Sequence, residues 1–158
     1  MIILGIDPGI ADTGFGVISA AGQTYEALAY GSIVTHQGDT LPRRLADLGK
    51  KLSELICEHK PDMVAVEELF FAKNAKTAII VAHARGVCLM TAQCAGCKVR
   101  EFKPTEIKQA LVGYGRADKN QIQQMVKTLC GLKEIPRPDD AADALAVAIC
   151  CAQTKTFT

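Results

Sequence analysis

Six aspartates and glutamates in this chain stand where side chains of their type are seldom placed for packing. Asp7 closes the apolar run MIILGID, and Glu67 and Glu68 close DMVAVEE. Asp139, Asp140 and Asp143 sit in PDDAADALAVA, a stretch whose alanines and Leu145 read as a tightly packed helix, although Asp is a poor residue for a helix interior. Asp140 and Asp143 are three residues apart and share one helical face. Two strands ending at one sheet edge, with that helix laid against it, would gather four carboxylates. Such a group repels itself and raises its own pKa values unless cations neutralise it. Oxygen-only ligands with no nearby histidine favour magnesium or manganese over zinc. Two such ions can activate a water and stabilise a leaving oxygen in phosphodiester hydrolysis. The plainer readings are that Asp139 caps its helix and favours its dipole, that Asp7 is a turn residue before Pro8, and that Glu68 is a solvated strand-end charge. Asp143 resists such a reading, because it lies a turn inside the helix.

The elements that must position these groups follow from periodicity. MIILGID, TGFGVISA (13–20) and YEALAYGSIV (25–34) read as strands, the latter two joined by the short AGQT connection of antiparallel neighbours. Leu41 to His59 repeats its leucines at helical intervals, and DMVAVEE (62–68) is a buried strand. Ala75 to Cys94 is helical and apolar nearly all round, which fits a core helix or one shared with a second subunit. CKVREF (97–102) is a fifth strand, and helices are expected at 105–112, 118–130 and 139–152. The result is a single α/β domain over 1–158 with a five-stranded mixed sheet flanked by helices. Such sheets place their sites at the carboxyl ends of parallel strands.

Charge points the same way. Residues 1–71 carry 5 basic and 10 acidic side chains, 72–133 carry 11 and 3, and 134–158 carry 2 and 4, so a net charge of +1 conceals a basic middle suited to a polyanion. The longest apolar run is far short of a membrane span, and MIILGI lacks a basic leader, so a cytoplasmic protein is expected. Seven cysteines form no disulfide framework. Cys57, Cys88, Cys130, Cys150 and Cys151 read as buried thiols, and the lone pair Cys94 and Cys97 lacks the partners of a structural zinc site.

Four stretches, ILGIDPG with TGFGV, VAVEELFFAKNAKTA with ARG, VGYGRADKNQIQQMV, and DDAADALAVAI, resemble in order and across nearly the whole chain the RuvC family of Holliday-junction endonucleases, in the ribonuclease H-like superfamily. The resemblance implies a ribonuclease H-like fold and symmetric, metal-dependent cleavage of two opposed strands of a four-way junction during recombination and repair. It implies Asp7, Glu67, Asp140 and Asp143 as catalytic metal ligands, choosing Glu67 over Glu68, with two Mg2+ per site and Mn2+ able to substitute. It places Lys108 and Lys119 beside the cleaved strand as phosphate-binding residues and Phe70 as a base-stacking aromatic. Further implications are a homodimer built on the 75–94 helix and the RuvA and RuvB branch-migration proteins as partners. Rival readings are an RNA-cleaving YqgF-like nuclease, a junction-binding module without activity, and a sugar kinase, actin or heat-shock ATPase. The last requires a second phosphate loop and about twice the length.

Overall fold

The structure, a computed structural model, describes residues 1–69 and 75–154. Its strands are β1 (Ile2–Asp7), β2 (Asp12–Ala21), β3 (Thr24–Val34), β4 (Met63–Glu67) and β5 (Lys98–Phe102). Its helices are α1 (Leu41–His59), α2 (Ala75–Cys94), α3 (Pro104–Val112), α4 (Lys119–Leu129) and α5 (Asp139–Gln153). Every expected element is present, with no end shifted by more than one residue. The sheet order is β3-β2-β1-β4-β5. β1, β2 and β3 form an antiparallel meander, while β4 and β5 run parallel to β1. The meander turns tightly at Gly22, whose φ of 62° favours glycine, and a bulge between Val17 and Ile18 shifts its register.

Alternation along the strands divides the core into two layers. Leu4, Ile6, Val17, Val64 and Val66 face α1 and α2, meeting Leu48, Leu52, Ile56, Ala84 and Cys88. Ile3, Ile18, Met63 and Ala65 face the other way, against α3, α4 and α5. α5 lies unusually close to the sheet because glycines floor its seat. A Cβ at Gly5 would stand 2.1 Å from the Ala144 carbonyl oxygen, one at Gly14 2.1 Å from that of Asp140, and one at Gly16 2.8 Å from Leu145. The alanines of α5 complete the approach, with Ala141, Ala144 and Ala148 fully buried. This seam sets how far Asp140 and Asp143 stand from β1.

α2 is covered on one side. Ala84, Cys88 and Ala92 are buried, Gly49 of α1 meets Val87 and Thr91, and Ile79 and Met90 remain 59% and 60% exposed. A core helix covered all round is therefore excluded for this chain taken singly. The stretch Thr77–Cys94 has the length and hydropathy of a membrane span by composition, yet it packs on α1 and the sheet. All seven cysteines are free. Cys57 is exposed on α1 rather than buried, since the apolar stripe of that helix runs through Leu48, Leu52 and Ile56 and leaves position 57 outside.

Candidate metal centre

β1 and β4 are parallel neighbours in register Ile6↔Val66, so Asp7 and Glu67 leave the sheet at the same edge. α5 brings its first two turns over that edge. As a result, carboxylate oxygens of Asp7, Asp140 and Asp143 all lie within 4.8 Å of one another. Glu67 joins them through Asp7, whose protonated carboxyl donates a hydrogen bond to the Glu67 carboxylate. The loop after Asp7 is held by buried Thr13, whose hydroxyl donates to the Gly9 carbonyl, and by Arg44, whose Nη2 donates to the Ile10 carbonyl at 3.2 Å.

The electrostatics follow from the crowding. Burial, then the charges of Glu67, Asp143 and Asp140, push the Asp7 carboxyl up to about 8. Burial and Asp143 also raise Glu67, while the hydrogen bond from Asp7 and the ammonium groups of Lys108 and Lys119 work against that rise. Asp140 is raised by burial, then by Asp12 and Asp143. Beside the carboxylates opens a cleft of about 300 Å³, lined by Glu67, Asp143, Lys108 and Lys119 over Pro104, Ile107, Ile122 and Ala146. Lys119 is the first residue of α4, fixed there by a capping box between Asp118 and Gln121. Its Nζ lies 3.1 Å from Asp143 Oδ2 and 3.5 Å from Asp139 Oδ2. Burial pulls its pKa down, but those two carboxylates lift it above the ordinary value.

The donor set suits a hard divalent cation. Its atoms are all carboxylate oxygens, close enough to share an ion, and carry mutual repulsion that a cation would cancel. Glu68 is half-buried, its N–H pairing with the Phe102 carbonyl to extend the β4–β5 ladder. Phe70 lies outside the described residues. Asp139 does not cap α5: Pro138 is the N-cap, and the Asp139 carboxylate pairs with Arg137 and Lys119 instead. Asp12 gave no signal in the sequence as a neighbour of the cluster, and Asp139 read there as a helix cap and not as a partner of Lys119. Asp12 acts on Asp140 from the start of β2, accepting a hydrogen bond from Ser32 Oγ at 3.1 Å, and Asp139 engages Lys119. The spacing of Asp139 and Asp143, four apart on one helical face, was the available signal for the second.

The sequence profile described as "Crossover junction endodeoxyribonuclease RuvC" matches residues 3–151. The chain belongs to the RuvC family. It is 53% identical over 158 residues to the crossover junction endodeoxyribonuclease RuvC of Alkaliphilus oremlandii, covering 100% of this chain and 96% of that protein. The RuvC of Syntrophomonas wolfei is 54% identical over 150 residues, covering 95% and 87%. Among solved structures, Thermus thermophilus RuvC superposes with a TM-score of 0.90 at 36% identity over 97% of this chain and 94% of that one. The T. thermophilus RuvC in complex with a Holliday junction substrate gives 0.88 at 34%, with the same coverage. The yeast mitochondrial resolvase Ydc2 shares the fold at a TM-score of 0.68 and 16% identity, covering 96% and 78%. RuvC membership makes the chain a metal-dependent endodeoxyribonuclease of crossover junctions, and its α/β sheet is the RuvC, ribonuclease H-like one.

Proposed function

We propose that Asp7, Glu67, Asp140 and Asp143 are the catalytic residues with which this chain, as one nuclease domain, resolves Holliday junctions by symmetric hydrolysis of two opposed phosphodiesters. The observation that carries the reading is the convergence of three aspartate carboxylates within 4.8 Å beside Glu67, at the mouth of a cleft walled by lysines. These four carboxylates hold two Mg2+, with Mn2+ able to substitute, since a full charge of −4 is balanced by two divalent ions. Bound there, such ions activate water and stabilise the leaving oxygen.

The remaining steps belong to the side chains. Asp7 would release to solvent the proton with which it bonds Glu67, so that both carboxylates could serve as ligands. Lys119 leaves Asp143 and, with Lys108, takes phosphate oxygens of the cleaved strand, where each offsets developing negative charge. Phosphate contacts of this kind position the DNA without reading its sequence. Phe70 stacks on a base at the junction, a role that rests on its place in the family motif. The exposed Ile79, Ile80 and Met90 of α2 are the face on which two copies meet about a two-fold axis, so that two sites confront two opposed strands. RuvA and RuvB are the partners that move the junction, and the protein works in the cytoplasm.

The test is cleavage of a synthetic mobile four-way junction, a matched duplex and single-stranded RNA, with Mg2+ and with chelator. Metal-dependent paired nicks on the junction alone are expected. Cleavage of the RNA instead would transfer the function to the YqgF-like reading.

A further inference from the structure

Asp139 and Asp143 are four residues apart on α5 and present their carboxylates on one face, a turn from each other. Lys119 stands opposite, at the start of α4, with its Nζ 3.1 Å from Asp143 Oδ2 and 3.5 Å from Asp139 Oδ2. Asp139 is in turn paired with the guanidinium of Arg137. The charges thus alternate along a row, Arg137, Asp139, Lys119, Asp143, that ends in the acidic cluster. Gln123 of α4 is buried beside Asp139, and its side-chain amide favours the charged form of that carboxylate.

An oxygen of Asp143 cannot serve Lys119 and a cation at full strength together. We propose that Asp139 is a positioning residue for Lys119. It retains the lysine at the mouth of the metal centre when Asp143 turns to a cation, so that Lys119 swings aside by a short distance and is not expelled. Arg137 anchors Asp139 outside the cluster, which leaves it facing the lysine. Without Asp139, Lys119 has Asp143 as its one contacting carboxylate among the described residues and competes harder with the cation for it. This inference rests on the metal centre proposed above.

The experiment is calorimetric titration of Mn2+ into the full-length protein without DNA, at pH 8, for wild type, Asp139→Asn, Lys119→Gln and the double variant. Circular dichroism verifies folding; the Asp139 side chain is 44% exposed, so the fold tolerates the change. Asp139→Asn is expected to weaken Mn2+ binding about three- to fivefold, the scale of one partly exposed ion pair. Lys119→Gln tightens binding, and in that background Asp139→Asn has no further effect. Asp139→Glu restores the wild-type affinity. Equal weakening in the Lys119→Gln background would mean that Asp139 acts through its own field on the cation, and would overturn the proposal. So would an Asp139→Asn variant that binds as tightly as wild type. If neither wild type nor Lys119→Gln binds Mn2+, the metal centre itself is refuted, a result separate from both.

Discussion

Asp7→Asn should stabilise the metal-free protein at alkaline pH while removing its response to metal. The Asp7 carboxyl climbs from 3.8 to about 8 because burial and three neighbouring carboxylates disfavour its charged form. Between those values the folded protein holds a proton that the unfolded chain has lost. Stability therefore falls as pH rises through that window, with the loss complete above about pH 8. Fully realised, the climb corresponds to about 5–6 kcal/mol. The cluster opens on one side to a solvent-filled cleft, and screening there reduces the realised cost to about 1–3 kcal/mol. Asn copies the shape of the protonated acid and cannot ionise. The variant should match wild type near pH 4–5 and exceed it increasingly towards pH 8–9. For a chain of this length the excess amounts to about 3–10 °C in Tm. The assay is thermal denaturation in chelator across that range, repeated in Mg2+, where the order should reverse because wild type gains bound cation. Parallel pH profiles for the two proteins in chelator would refute the claim that Asp7 carries buried electrostatic strain.

Other consequences are equally accessible. Saturating Mg2+ at about a hundred times its Kd should stabilise the wild-type protein by about 2.7 kcal/mol, and an unchanged Tm would count against the cluster as a cation site. Lys119→Ala should lower the rate of junction cleavage at saturating metal by about 10²-fold. Its effect on stability should stay under about 1 kcal/mol because its ion pairs are half exposed; cleavage at the wild-type rate would move the DNA path elsewhere. Gly14→Ala places a Cβ 2.1 Å from the Asp140 carbonyl oxygen, so it should cost about 1–3 kcal/mol in urea denaturation and displace Asp140 enough to reduce cleavage. A neutral result there would mean that α5 need not sit so close to the sheet. Met90→Glu should convert a dimer to a monomer in analytical ultracentrifugation, and dimers of unchanged stability would place the two-fold contact away from this face.

Much of the architecture was legible because strand alternation and helical repeats are local signals. The same signals show that Asp7 and Glu67 end strands and that Asp140 and Asp143 share a helical face. Alternation alone left Glu67 and Glu68 open; the parallel pairing of β1 with β4 carries Glu67 to Asp7. The behaviour of Asp139 was not legible as a cap because its partner, Lys119, arrives on a different element some twenty residues earlier in sequence. Asp12 was hidden for a similar reason, since its influence on Asp140 depends on how α5 lies across β2. Glycines at 5, 14 and 16 are visible in the strands, but what presses on them is a tertiary fact. Hydrophobicity spread around α2 could not distinguish a core helix from one with an uncovered face, because both keep polar residues away.

The central claim is that Asp7, Glu67, Asp140 and Asp143 jointly hold the metal on which cleavage depends. A crystal soaked in Mn2+ and measured at the manganese absorption edge tests it most directly. The account predicts two anomalous peaks about 3.5–4 Å apart with an Asp7 carboxylate between them. Anomalous density that lies away from these carboxylates, or none in crystals whose protein cleaves junctions in Mn2+, would contradict it.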